Sequence, residues 1–235
     1  GKNDNWWPTG GDKPGPQGPD TEMFYDLDPK SNAPIDPAGN NQRFVEIWND
    51  VFMQYESKNG SYVELKQKNV DTGMGLERIL TVLQNVPSIY ETDLFLPTMK
   101  KIEELSINFK DSSARIVADH IRASVFLIAD GVLPSNVERG YILRRLIRRS
   151  IRHASLLKID SDFLEDTAKT VIKTYQDIYP NLAEHQELII SELKEEEQKF
   201  KKALANGISQ FEKIIGNITD KNSFDLYQNF GFPIE

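Results

Sequence analysis

Cysteine is absent from these 235 residues, which removes a disulfide framework and every thiolate metal site at once. The three histidines, His120, His153 and His185, are scattered without ligand spacing, so no zinc site is expected. No apolar run approaches the roughly eighteen residues a membrane helix needs, and no charged, apolar, small-residue leader is visible. A soluble, cytoplasmic protein with no membrane partner is the expectation. A basic excess is lacking too: 28 Lys and Arg against 36 Asp and Glu leave a formal charge of −8. Indiscriminate nucleic-acid binding is thereby disfavoured, and any polyanion site has to be local. No internal repeat is visible. What is present is apolar substance, 39% hydrophobic and 10% aromatic, enough for one large domain or two small ones with a real core.

The stretch GKNDNWWPTGGDKPGPQGPDTEMFYD holds five Gly, four Pro and two adjacent Trp in 26 residues. Trp side chains without a pocket would cost solubility, so it reads as a loop lying over a site, running into a strand-like EMFYD. LDPKSNAPIDPAGNNQRF follows as a long surface loop. The alternation in FVEIWNDVFMQYE predicts a strand with Val45, Ile47, Asn49, Val51 and Met53 on one face. Phe44, Glu46, Trp48, Phe52 and Gln54 are among those on the other. SKNG is a turn and SYVELKQ a returning strand, so residues 42–68 predict an antiparallel hairpin. Asn49 is the one polar residue in its row, either a satisfied core amide or a ligand contact at a sheet face.

VDTGMGLERIL, residues 70–80, puts Asp71, Gly73, Gly75 and Arg78 at the mouth of a predicted amphipathic helix with Leu76, Ile79, Leu80 and Leu83 on one face. Glycines let another molecule approach the backbone, and a helix N-terminus favours an anion. A plain strand-to-helix turn, with glycines for geometry and a surface Arg, is the simpler reading of these residues taken alone.

Beyond about residue 88 the apolar spacing becomes helical throughout. Asp111-Ser112-Ser113, Gly131 with Pro134, and Asp160-Ser161-Asp162 are expected boundaries. A long helix is expected over about 182–215, its apolar seam interrupted near Glu196. Between Arg139 and His153 there are six Arg and no acid. Arg144, Arg148 and Arg152 fall at helical steps with Arg145 and Arg149 alongside, a pattern suited to phosphates or, equally, to pairing with the acidic surplus of neighbouring helices. Asn136, just before the stripe, either caps the helix or reads a base edge.

Taken together, GPQGPDTEMFYD, EIWNDVFMQ, VDTGMGLERIL, ADHIRASVFLIADGVLPSNVERGYILRRLIRRSIRH and FDLYQNFGFPIE resemble the alanyl-tRNA synthetases, a class II family, in order over nearly the whole chain. The resemblance implies an internal fragment of α+β class: residues 1–100 as the later part of an antiparallel catalytic domain ending in motif 3, and 101–235 as a helical domain gripping the tRNA acceptor stem. It implies alanine, ATP with Mg2+, and tRNA-Ala as partners. Arg78 resembles the arginine on the terminal phosphate of ATP, with Gly73 and Gly75 keeping the nucleotide floor open. Asp71 resembles the acid pairing with the alanine ammonium, Asn49 an amide holding the amino acid, and Trp7 a wall of its pocket. Asn136 resembles the Asn that reads a G·U pair in the acceptor stem. Gln228 stands where the family often has a partnering Asp, and Gln17 and Asp20 where many members have Cys. Motifs 1 and 2 are not in this chain, so two roles remain open: part of a working ligase, or an acceptor-stem binding module without catalysis.

Overall fold

The computed structural model describes residues 5–8, 14–37, 43–159, 163–216 and 218–224. The chain divides into two compact units, Gly1–Thr92 and Asp93–Glu235. The boundary expected at 100/101 falls inside a helix, Leu96–Leu105, that opens the second unit.

The described part of the first unit is a four-stranded antiparallel sheet in the order β1 (Trp6–Trp7), β2 (Gly15–Asp26), β3 (Phe44–Lys58), β4 (Ser61–Met74). The expected hairpin is there, and its turn has a local cause. Asn59 and Gly60 take φ of 53° and 77°, the left-handed pair a two-residue hairpin loop requires, between the partners Lys58 and Ser61. β4 then continues through Val70–Met74, so the glycine-bearing stretch is strand up to the start of α1 (Leu76–Leu83). Asn85, at φ 50°, ends α1 in a left-handed cap, and a 3-10 turn follows at Ile89–Glu91. Of the apolar face expected on α1, Ile79 and Leu80 are half-buried, whereas Leu76 and Leu83 are 55% and 73% exposed.

The Gly/Pro-rich stretch expected as a loop is instead β2, from Gly15 onward. Pairing with β3 overrides its turn-like composition, because Gly18 lets the two backbones approach unusually closely. A Cβ on Gly18 would lie 1.7 Å from the Phe52 carbonyl oxygen, at a register shift between Gln17 and Asp20. The Trp pair then has separate fates. Trp6 Nε1 donates to Oε1 of the buried Gln17 at 2.9 Å, and its ring stacks on Tyr55 at 5.8 Å with an edge contact to Tyr62 at 5.3 Å. Trp7 remains 46% exposed.

The second unit contains α2 (Leu96–Leu105), α3 (Asp111–Ala129), α4 (Glu138–Leu156), α5 (Phe163–Tyr175), α6 (Asn181–Glu184) and α7 (Gln186–Ile214). α3 is central and packs against α2, α4, α5, α6 and α7. Val117, Ile121, Val125 and Ile128 bury its apolar stripe with Leu143, Ile147, Leu164, Ile172, Ile189 and Leu193. Asp111 opens α3 instead of preceding it, Gly131 at φ 85° follows its end, and the expected boundary at 160–162 lies outside the described residues. The interruption in the α7 seam has a cause as well: Glu196 is buried, 4% exposed, because it receives Arg148 of α4.

Glu165, on α5, is bracketed by Lys169 and by Lys194 of α7. Hydrogen bonds from Lys169 and then Lys194 hold its carboxyl down at about 2. A depressed folded-state value means that this stabilisation is fully present above the ordinary carboxylate range and is lost as pH falls toward about 2. Glu165→Gln is therefore expected to lower stability near neutrality, where the unmodified chain keeps both ion pairs, and to flatten the acid limb so that the two unfolding curves converge as pH falls from about 4.5 to about 2; equal stability near neutrality with an unaltered acid limb would contradict the assignment.

Candidate functional site

β-Strand pairing gathers the first group of candidates. Glu22, Asn49 and Gly73 form one rank across β2, β3 and β4, and Asp20, Val51 and Asp71 form the next. Paired residues share a face, so Asn49, Asp71 and Gly73 project from the same side of the sheet. The space above Gly73 is open: a Cβ there would meet nothing within 4 Å. The Asn49 amide hydrogen-bonds the Glu22 carboxyl, which makes it both satisfied and available at a sheet face. Trp7 pairs with Gly18 on β1, with β2 and β3 between it and the strand that carries Asp71.

Arg78 reaches back from α1 to β3. Its Nη1 donates to Glu46 Oε2 at 2.6 Å and to the Glu46 carbonyl at 3.3 Å. Gly75 permits this, since a Cβ there would press on Arg78 Cδ at 3.3 Å. Simple alternation puts Glu46 on the face opposite Asn49, and the structure corrects this. Met23 pairs with Trp48 and Phe24 with Glu46, so Ile47 is passed over, and that one-residue shift turns Glu46 to the face of Phe24 and Glu22.

Three acids not expected in the site therefore belong here: Asp20, Glu22 and Glu46. Burial raises the Glu22 carboxyl above its usual range, the charges of Glu46 and Asp20 raise it further, and the Asn49 hydrogen bond and Arg78 oppose them. No local signal could have found this trio, because the pairing of β2 with β3 assembles it. With Asp71 the face carries four acids, and the Arg78 guanidinium stands at its Glu46 end. Such a face suits an ammonium group at its acidic end and an anion at Arg78. Among the described residues, no group of three His, Cys, Asp or Glu is arranged to hold a metal ion.

The arginine stripe on α4 separates into two sets. Arg148 Nε donates to Glu196 Oε1 at 2.6 Å, and its guanidinium lies 5.2 Å from the Phe200 ring centre. Arg144 donates to Asn136 Oδ1. Arg145 and Arg149 are exposed, and Arg152 is half-buried. Pairing with an acid of a neighbouring helix therefore holds for Arg148, which serves the fold, while Arg145 and Arg149 face solvent. Breaking a buried pair strands its partner, so Arg148→Met should cost the helical unit about 3 kcal/mol in denaturant unfolding. A loss under about 1 kcal/mol, the value of an exposed pair, would contradict that role. Gln228 lies outside the described residues.

The family model described as tRNA synthetases class II (A) matches residues 1–235, and the chain belongs to that family. The curated relatives narrow this to one kind: they are alanine–tRNA ligases. That of Mycoplasma capricolum is 42% identical over 261 residues, covering all of this chain and 29% of the relative. That of Borrelia hermsii is 45% identical over 245 residues, covering 98% of the chain and 41% of the relative. That of Bacillus subtilis is 41% identical over 251 residues, covering 98% and 28%. The chain thus spans well under half the length of these relatives. No described helix is long and apolar enough to cross a membrane.

Proposed function

We propose that this chain supplies part of the amino-acid and ATP site, and the acceptor-stem binding region, of a cytoplasmic alanine–tRNA ligase. The observation that carries the reading is the gathering of Asn49, Asp71 and Gly73 on one open sheet face, in a unit where Arg78 is tethered to Glu46. Asp71 pairs with the alanine ammonium, and Asn49 holds the amino acid beside it. The alanine carboxylate is thereby aimed at the α-phosphate of ATP for in-line attack, which gives alanyl-adenylate and pyrophosphate. Arg78 exchanges its Glu46 contact for the terminal phosphates and stabilises the charge that develops there. Gly73 and Gly75 leave room for the nucleotide, and Trp7 walls the alanine pocket. Mg2+ comes with ATP as its counter-ion. No side chain acts as nucleophile; the alanyl group passes from the adenylate to the terminal adenosine of tRNA-Ala.

The helical unit, residues 93–235, binds the acceptor stem. Arg145, Arg149 and Arg152 contact phosphates, while Asn136 and Gln228 read the G·U pair. The test is titration of the 235-residue chain with an acceptor minihelix carrying G·U and with one carrying G·C, at two salt concentrations. Salt-sensitive binding that favours G·U is expected, and Arg149→Ala should lower the slope of log affinity against log salt by about 0.7 to 0.9. Equal affinity for both duplexes would contradict the reading role of Asn136. A second reading, an acceptor-stem module without catalysis, draws support from the single guanidinium among four acids, since a triphosphate needs further cations. Loss of alanine activation on mutating Arg78 in the intact synthetase excludes it.

A further inference from the structure

We propose that Arg144 is a positioning residue that fixes the polarity of the Asn136 amide before RNA arrives. The inference rests on the acceptor-stem reading above and extends it from the residue that reads to the residue that makes the reading selective. Asn136 is exposed in the loop between α3 and α4. An unrestrained exposed amide exchanges its oxygen and its NH2 by rotation, so it offers a donor or an acceptor at the same point. Base-pair edges differ in where donors and acceptors stand, and a side chain that offers either one discriminates poorly.

Arg144 removes that freedom. Its Nη1 donates to Asn136 Oδ1, and a guanidinium has donors only, so the chemistry allows the amide oxygen and no other atom to face it. The NH2 is then directed away from the arginine. Both ends of this contact are themselves held. The Arg144 guanidinium lies 5.5 Å from the centre of the Tyr141 ring, three residues earlier on α4. Among the described residues no carboxylate pairs with it, in contrast to Arg148.

The loop is fastened at the same place. Ser135 N donates to the Gly140 carbonyl at 3.0 Å, Ser135 Oγ donates to the Val137 carbonyl at 3.0 Å, and Val137 N donates back to Ser135 Oγ at 3.3 Å. Gly140 leaves no slack, since a Cβ there would fall 2.3 Å from Ser135 Oγ and 2.5 Å from the Leu133 carbonyl. A reading group supported in this way loses little freedom on binding, and its donor pattern is set in advance.

The test uses the 235-residue chain with two measurements. The first is the 15N spectrum of the Asn136 side-chain amide, assigned by its disappearance in Asn136→Ala. The second is the ratio of affinities for the G·U and G·C minihelices. In the unmodified chain the two amide protons should have distinct, restrained signals. Arg144→Met should collapse them toward those of a mobile amide and cut the affinity ratio about tenfold, as Asn136→Ala does, with no further loss of the ratio in the double variant. Arg144→Gln keeps a neutral donor and should retain both the signals and the ratio. Arg145→Met should weaken both duplexes alike. Amide signals indifferent to Arg144→Met overturn the inference, as does a ratio that falls in Asn136→Ala but not in Arg144→Met. A ratio unmoved by Asn136→Ala overturns the acceptor-stem reading, and the inference with it.

Discussion

Replacing Asp71 by Ala in the intact synthetase should lower alanine-dependent ATP–pyrophosphate exchange by about two to four orders of magnitude. The size follows from stranding a desolvated ammonium without its counter-charge, which costs about 3–5 kcal/mol, at about 1.4 kcal/mol per decade. Asp71→Asn should fail nearly as badly, because an amide keeps the shape of the side chain and loses the charge. The loss should fall on alanine: Arg78 is untouched, so the KM for ATP changes little, and the affinity of the helical unit for RNA stays the same. The position of Asp71 explains the specificity of the defect. It stands on β4 in the rank beside Asn49 and Gly73, and its side chain projects from the shared face. Exchange at the unmodified rate in Asp71→Ala would remove the amino-acid site from this face.

Gly18→Ala should be the most damaging single change to the first unit's fold. The added Cβ would overlap the Phe52 carbonyl at 1.7 Å, an atom of the β3 backbone that cannot rotate away. Relief requires β2 to separate from β3, so a loss of about 3 kcal/mol or more is expected, at or beyond the upper end for overpacking. Gly73→Ala is the counterpart on the same sheet. Nothing lies within 4 Å of its Cβ, so stability should shift by less than about 1 kcal/mol. The methyl group would project into the open side of the face, however, and ligand affinity should fall while the fold remains. Denaturant midpoints for the two variants, measured side by side, check both statements. Equal midpoints would show that the approach of Gly18 to Phe52 does not restrain the sheet.

How far such features can be read from sequence depends on the range of the interactions that create them. The Asn59-Gly60 turn and the helical periodicity of α3 and α4 are local, and they were legible. The meeting of Asn49 with Gly73 and Asp71 was not legible: counting back from the Asn59-Gly60 turn would put Val70 opposite Asn49, and the register shift between Met53 and Tyr55 puts Gly73 there instead. Glu46 was assigned to the wrong face because the residue passed over in β3, Ile47, is determined by pairing with β2, more than twenty residues away. The GPQGPD stretch looks like a loop by composition, and only the backbone approach at Gly18 makes it a strand. The stripe on α4 was plainly basic, but the sequence could not divide it. Arg148 differs from Arg149 because Glu196, 48 residues later, is buried against it. The hydrogen bond from Arg144 to Asn136 lies between these extremes, since eight residues separate the partners and the bend between them depends on Gly140 and Ser135.

On the proposed function, the sheet face bearing Asn49 and Asp71 selects alanine for activation. The most direct measurement is ATP–pyrophosphate exchange by the intact synthetase, supplied in turn with alanine, glycine, serine and larger amino acids. Alanine should give the highest kcat/KM, and this preference should disappear together with activity in Asp71→Ala. Exchange supported best by a different amino acid, or an alanine rate that survives the loss of Asp71, would contradict it.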